Sequence, residues 1–107
     1  MTSDNEPGLM PNERDALERL LRIALGGTGQ SAIVANFLLA WWNAADFGGF
    51  NLTDLWAVDT AISDDMLLIV AFLARRSMYP DNIQCEDGTE LSYNREFVAL
   101  VNQWRSP

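Results

Sequence analysis

Leu17, Leu20, Leu21, Ala24 and Leu25 recur at the i, i+3, i+4, i+7, i+8 spacing that lays one apolar stripe along a helix. Asn12 is the expected N-cap of this first helix, with Asp15 three residues on in a capping-box position. Asp15–Arg19 and Glu18–Arg22 stand as acid-first i,i+4 pairs, each worth about 0.3 kcal/mol on an exposed face. Gly26-Gly27-Thr28-Gly29 ends the helix. A second helix is predicted from Gln30 or Ser31 to about Ala45. It is apolar almost all round (Ile33, Val34, Phe37, Leu38, Leu39, Trp41, Trp42), relieved only by Asn36 and Asn43, and a helix without a polar face must be surrounded. Gly48-Gly49 closes it.

Asn51 or Thr53 can cap a short helix holding Leu55, Trp56 and Val58. A longer helix follows, beginning near Asp59 or Ser63 and reaching about Ser77, with Ile62, Met66, Ile69, Val70 and Leu73 as its inward stripe. Asp64 and Asp65 in its first turns and Arg75-Arg76 in its last suit the helix dipole, and Tyr79-Pro80 stops it. Residues 81–91 read as an acidic loop in which Ile83-Gln84-Cys85 is a stub of extended chain. Ser92 then caps a last helix with Tyr93, Phe97, Leu100, Val101 and Trp104 on one face. No stretch alternates as a strand would. The expected fold is all-α: a compact single-domain bundle of four principal helices plus one short helix, the second helix central, over residues 12–107. Residues 1–11, with Asp4 and Glu6 and no periodicity, are expected to form a flexible acidic tail.

Composition narrows the chemistry sharply. The 107 residues suit one domain. Histidine and lysine are absent, all basic residues are arginines, and Cys85 is the single cysteine. A structural zinc site, a histidine-based triad, an internal disulfide, a lysine P-loop and a Schiff-base lysine are thereby excluded. Gly26 to Ser31 superficially suggests a phosphate loop, but no strand precedes it and no lysine follows. It reads as a helix-to-helix turn. Asp59, Asp64 and Asp65 could in principle bind Mg²⁺, yet neighbouring helical residues diverge by about 100°, so Asp64 and Asp65 do not aim at one ion. No metal, cofactor or catalytic residue is expected. Cys85 fits a reducing compartment, and Glu86 and Asp87 beside it disfavour the thiolate. No secretory leader pattern is visible, and the most apolar stretch, residues 32–42, is far short of the ~20 residues that span a bilayer. The expected location is cytoplasmic.

Charge carries the functional signal. The net charge is −8, and most of the excess sits in two arginine-free runs. One holds Asp46, Asp54, Asp59, Asp64 and Asp65; the other holds Asp81, Glu86, Asp87 and Glu90. Clustered carboxylates speed encounter with cationic partners. Solubility and helix-start chemistry account for the same residues in a plainer way. Direct nucleic-acid binding is disfavoured, because phosphate repels such a chain. Trp41 and Trp42 can both be buried in a central helix; otherwise one of them, or Trp56 or Trp104, is an exposed anchor, since aromatic residues dominate binding hot spots.

Several stretches look familiar. They are Leu20-Leu21-Arg22-Ile23-Ala24-Leu25 with Thr28-Gly29-Gln30-Ser31; Phe37-Leu38-Leu39-Ala40-Trp41-Trp42-Asn43-Ala44; Gly48-Gly49-Phe50; and Leu52-Thr53-Asp54-Leu55-Trp56 with Val58-Asp59-Thr60-Ala61-Ile62. Together they resemble a family of small helical proteins encoded on proteobacterial conjugative and integrative elements, a family with no catalytic motif to transfer. By size, acidity and such a setting the chain is also similar to anti-CRISPR inhibitors, a likeness of genre. The resemblance implies a bacterial host cell. The expected function is a non-enzymatic, acidic protein-binding inhibitor or adaptor. Its nine carboxylates would dock on a basic nucleic-acid-binding protein or a CRISPR effector complex, with the chain a monomer or a dimer. The alternative is a self-associating structural or accessory protein of element maintenance or transfer, with an apolar patch near Trp41, Trp42 or Trp56.

Overall fold

The computed structural model describes residues 8–106. Helix α1 spans Pro11–Ala24, α2 Gly29–Phe47, α3 Thr60–Arg75 and α4 Asn94–Trp104. A short 3-10 helix covers Leu52–Ala57, and two-residue strands β1 (Ile83–Gln84) and β2 (Glu90–Leu91) pair as a small antiparallel hairpin. The chain is all-α apart from this hairpin, and the packing order is α3, α1, α2, α4.

α1 begins before the expected Asn12 cap. Pro11 takes the first helical position, where its fixed φ is pre-organised and its missing N–H costs nothing. Met10 is the N-cap, and Glu13 reaches back so that its Oε1 accepts from the Met10 N–H at 2.9 Å. The stripe Leu17, Leu20, Leu21 and Ala24 is buried as the spacing predicts, while Leu25 is partly exposed beyond the helix. The i,i+4 pairs are different from those expected. Glu18 is engaged by Arg14 and by the Tyr93 hydroxyl, and Arg19 turns to Asp65.

Thr28 and Ser31 cap α2 reciprocally: Thr28 Oγ1 accepts from the Ser31 N–H at 3.1 Å and Ser31 Oγ from the Thr28 N–H at 3.2 Å. The glycine-rich segment is thus a turn between helices. No residue from Gln30 to Trp42 is fully exposed. α2 is one of the two inner helices, between α1 and α4, as its missing polar face requires. The helix breaks at Asn43 (φ −164°, ψ 86°), whose Oδ1 accepts from the Asp46 N–H and caps one further turn. Gly48 then reverses the chain at φ +95°, a conformation that disfavours any side chain.

The connection to α3 folds back along α2. Phe47 lies against Trp42 and Phe50 packs edge-on against Phe37, with ring centroids 5.6 and 5.4 Å apart. At the far end the Asp59 N–H donates to Gln30 Oε1 at 2.8 Å. α3 therefore starts beside the α1–α2 turn and runs antiparallel to α1, as its ion pairs with Glu13 and Arg19 require. Its inward face is Ile62, Asp65, Met66, Ile69 and Phe72. Val70, expected inside, is exposed, because the helix turns Phe72 rather than Val70 toward α1.

The last helix seals the bundle. Phe97 receives Trp41 and Trp42 edge-on, at 6.1 and 5.6 Å between centroids. Trp104 Nε1 donates to the Ala24 carbonyl and Gln103 Nε2 to that of Gly26, so α4 satisfies carbonyls that the end of α1 leaves open. Arg105 ties the terminus to the Phe47 carbonyl and to Asn36 Oδ1.

The tail expected over residues 1–11 lies outside the described residues as far as position 7. From Gly8 the chain belongs to the fold. Leu9 is buried, its N–H donates to the Gln84 carbonyl and its carbonyl accepts from the Glu86 N–H, so it lies against β1 as a parallel neighbour. A Cβ on Gly8 would run into the Gln84 carbonyl, which explains glycine there.

Candidate protein-binding surface

The nine carboxylates proposed for a partner do not form one group. Asp65 is buried on α3, and Arg19 grips both of its oxygens at 2.8 and 2.9 Å. It belongs to the α1–α3 seam and leaves the candidate surface. It lies on the inward face with Met66 and Ile69, while Asp64, its neighbour in the chain, is exposed.

The two acidic runs also lie apart. α1 and α3 are antiparallel, and α3 is about 24 Å long at 1.5 Å per residue. Asp59 and Asp64 sit at the end where α3 begins, next to Gln30. Glu86 and Asp87 sit at the opposite end, where Glu86 pairs with Leu9 ahead of α1. Asp81 and Glu90 are exposed on the same hairpin segment. Asp46 is exposed in the last turn of α2, where Asn43 Nδ2 donates to its carboxylate at 3.0 Å. A single landing zone made from both runs is therefore corrected to separate groups.

The hairpin group is partly occupied with itself. Asp87 Oδ1 accepts from the Thr89 N–H at 2.9 Å, and that backbone bond holds the carboxyl below its ordinary range. Beside it a cleft of about 310 Å³ is lined by Leu9, Arg14, Glu18 and Cys85 among others. Burial first, then Asp87 and Glu86, push the Cys85 thiol up against the opposing pull of Arg14. The expected direction is right, with burial as the larger cause. Tyr93 is also raised, by burial and by its bond to Glu18, so its hydroxyl stays a donor. Among the described residues no three carboxylates or thiols converge as a metal-binding set.

The start of α3 is different in character. Asp54 is half-buried in the 3-10 helix, while Asp59 and Asp64 are exposed. Among the described residues no arginine pairs with any of the three. The same segment holds two large apolar side chains that the fold leaves in water: Trp56, between Asp54 and Asp59 in the chain, is 85% exposed, and Leu52, just before Asp54, is 73% exposed. The Asn51 side chain accepts from the Thr53 N–H and starts this turn, in which Leu55 packs against the core while no residue is fully buried.

The other three tryptophans turn inward. Trp41 Nε1 donates to the Met78 carbonyl at 2.9 Å, Trp42 packs between Phe47 and Phe97, and Trp104 bonds to Ala24. Trp56 is the exception, and its position in a short capped turn was the sequence signal for it.

No described helix is long and apolar enough to cross a membrane. No curated protein and no solved structure matches the chain. One family model does, over residues 14–105, continuously from the first turn of α1 through the hairpin to the end of α4. The chain belongs to that family, a family of unknown function (DUF7673).

Proposed function

We propose that this chain is a non-enzymatic protein-binding module, an inhibitor or adaptor, whose docking surface is the segment that leads into α3. The observation that carries this reading is Trp56, a large aromatic side chain 85% exposed, in the same short segment as the exposed Leu52 and close in the chain to Asp54, Asp59 and Asp64. Such a ring offers hot-spot area at little conformational cost. The three carboxylates favour a partner that presents an apolar recess bordered by arginine or lysine. Proteins that hold nucleic acid carry cationic surfaces of that kind. An anti-CRISPR role is this same reading with a CRISPR effector as the partner. The hairpin acids, at the other end of the molecule, add long-range attraction rather than contact.

The two components have different signatures. Carboxylate attraction weakens as salt screens it, with a Debye length of about 8 Å at physiological ionic strength. Burial of the indole does not. Capture from bacterial lysate on the immobilised full chain, at low and high salt, with Trp56→Ala alongside, tests the reading. Basic proteins retained by the parent chain, reduced by salt and lost with Trp56→Ala, support it. Capture that is indifferent to both salt and Trp56 overturns it.

A further inference from the structure

α3 has an outward face that its place in the bundle does not explain. Residues 66–74 carry no charge, and of these Leu67, Val70, Ala71 and Ala74 are exposed. At 100° per residue these four fall within an arc of about 100°. Leu67 and Val70 are 53% and 46% accessible. A helix on the outside of a small domain ordinarily covers such positions with charged side chains. Here the only charges on the outward side stand at the two ends, Asp64 before the stripe and Arg75 after it, both exposed.

We infer that this face pairs with the same face of a second copy, the two α3 helices lying antiparallel across a two-fold axis near Val70 and Ala71. The face is self-complementary. A two-fold interface brings each residue on one side of the axis opposite the residue at the matching distance on the other side. Asp64 and Arg75 lie on the same edge of the stripe, about 20° apart around the helix, and about 10 and 7 Å along it from the midpoint. Two-fold pairing therefore sets Asp64 of each copy against Arg75 of the other, twice. Arg75 also holds the buried Glu13 of α1 at 3.1 Å while 34% of its side chain stays accessible, so Asp64 of the second copy would share a guanidinium that is already paired. Ala71 and Ala74 permit close approach of the two backbones, and Leu67 and Val70 fill the space on either side. A parallel arrangement would instead oppose like charges. One helix face is smaller than the roughly 800 Å² per partner of a standard interface, so the dimer dissociates on dilution. The inference shares Asp64 with the proposed docking surface but does not use Trp56, and its tests at Leu67, Val70 and Ala71 are read separately from those of the proposed function.

Sedimentation equilibrium of the full chain from micromolar to submillimolar concentration tests it. The mass rises from 12.0 kDa toward twice that value. Leu67→Glu and Val70→Glu each weaken association by at least about tenfold, with helical circular dichroism unchanged. The geometry has its own test in a Cys85→Ser background. Ala71→Cys, beside the axis, links to its own copy when a thiol oxidant is added. Ala61→Cys, about 14 Å from the axis, does not. A monomer at every concentration, a dimer indifferent to Leu67→Glu, or Ala61→Cys linking as readily as Ala71→Cys would each overturn the inference.

Discussion

Arg19 and Asp65 stand 46 residues apart in the chain, yet meet through two parallel bonds, Nε to Oδ2 and Nη2 to Oδ1, across the α1–α3 seam. Their surroundings are unequal: the arginine side chain is 47% accessible and the aspartate 12%. A charge left without its partner is costly in proportion to how little water reaches it.

Arg19→Ala should therefore destabilise the fold more than Asp65→Ala does. The first strands a carboxylate that water barely reaches; the second strands a guanidinium that is already half in water. Urea unfolding of the two variants and of the double variant measures the difference. Equal losses would mean that the pair is solvated alike on both sides.

Tyr93 and Glu18 couple stability to pH. The bond from the Tyr93 hydroxyl, with that of Arg14 behind it, holds the Glu18 carboxyl below its ordinary value of 4.5. A carboxyl lowered in the folded state contributes stability above its unfolded pKa, lost as pH falls through the folded value. Tyr93→Phe should cost about 1 kcal/mol near neutral pH and flatten the dependence below pH 4.5. Tyr93 itself is raised above 10.0. Its contribution is complete below that pH and is lost in stronger alkali, where the unfolded chain sheds the phenolic proton first. Urea titrations across both ranges read the two effects.

Phe97 is the ring on which both Trp41 and Trp42 rest. Phe97→Ala should cost about 3–5 kcal/mol, a large part of the roughly 5–15 kcal/mol that stabilises a domain. Thermal unfolding followed by tryptophan emission checks it. An intact emission spectrum at room temperature with an unchanged melting temperature would contradict the packing.

Trp56 should behave as the lone water-facing indole. Acrylamide should quench its emission first, and Trp56→Phe should remove the red-shifted component while changing stability by less than about 0.5 kcal/mol. A larger loss would mean that the ring supports the fold.

Gly8→Ala should loosen the start of the chain, because the added methyl meets the Gln84 carbonyl. Hydrogen exchange at Leu9 and Glu86, whose amides make the two bonds of that parallel pairing, should quicken relative to the amides of α1. Unchanged exchange would show that the backbone accommodates the methyl.

Much of the helical frame was readable along the chain. Leu17, Leu20, Leu21 and Ala24 on α1, and Phe97 and Leu100 on α4, are buried where their spacing puts them. The turns fall where glycine and proline interrupt the pattern. Reading α2 as surrounded followed from its lack of any polar side. Caps were less legible: Pro11 and Glu13 outweighed the more familiar signal of Asn12, and Asn43 broke α2 inside a run that spacing alone extends.

What the sequence by itself determined is the set of helices, because a period of 3.6 residues is a property of the local backbone. The chemistry open to a chain without histidine or lysine was settled there as well. Ile62, Met66 and Ile69 marked the inward side of α3 along the chain and are buried there. That Asp65 and Phe72 join them while Val70 faces out was decided only in three dimensions, where α3 meets Arg19 and Glu13 of another helix, 46 and 62 residues away. That choice buried Asp65, turned Val70 outward and drew the acidic runs apart. Contact across such distances depends on how helices pack together, and no local pattern records it.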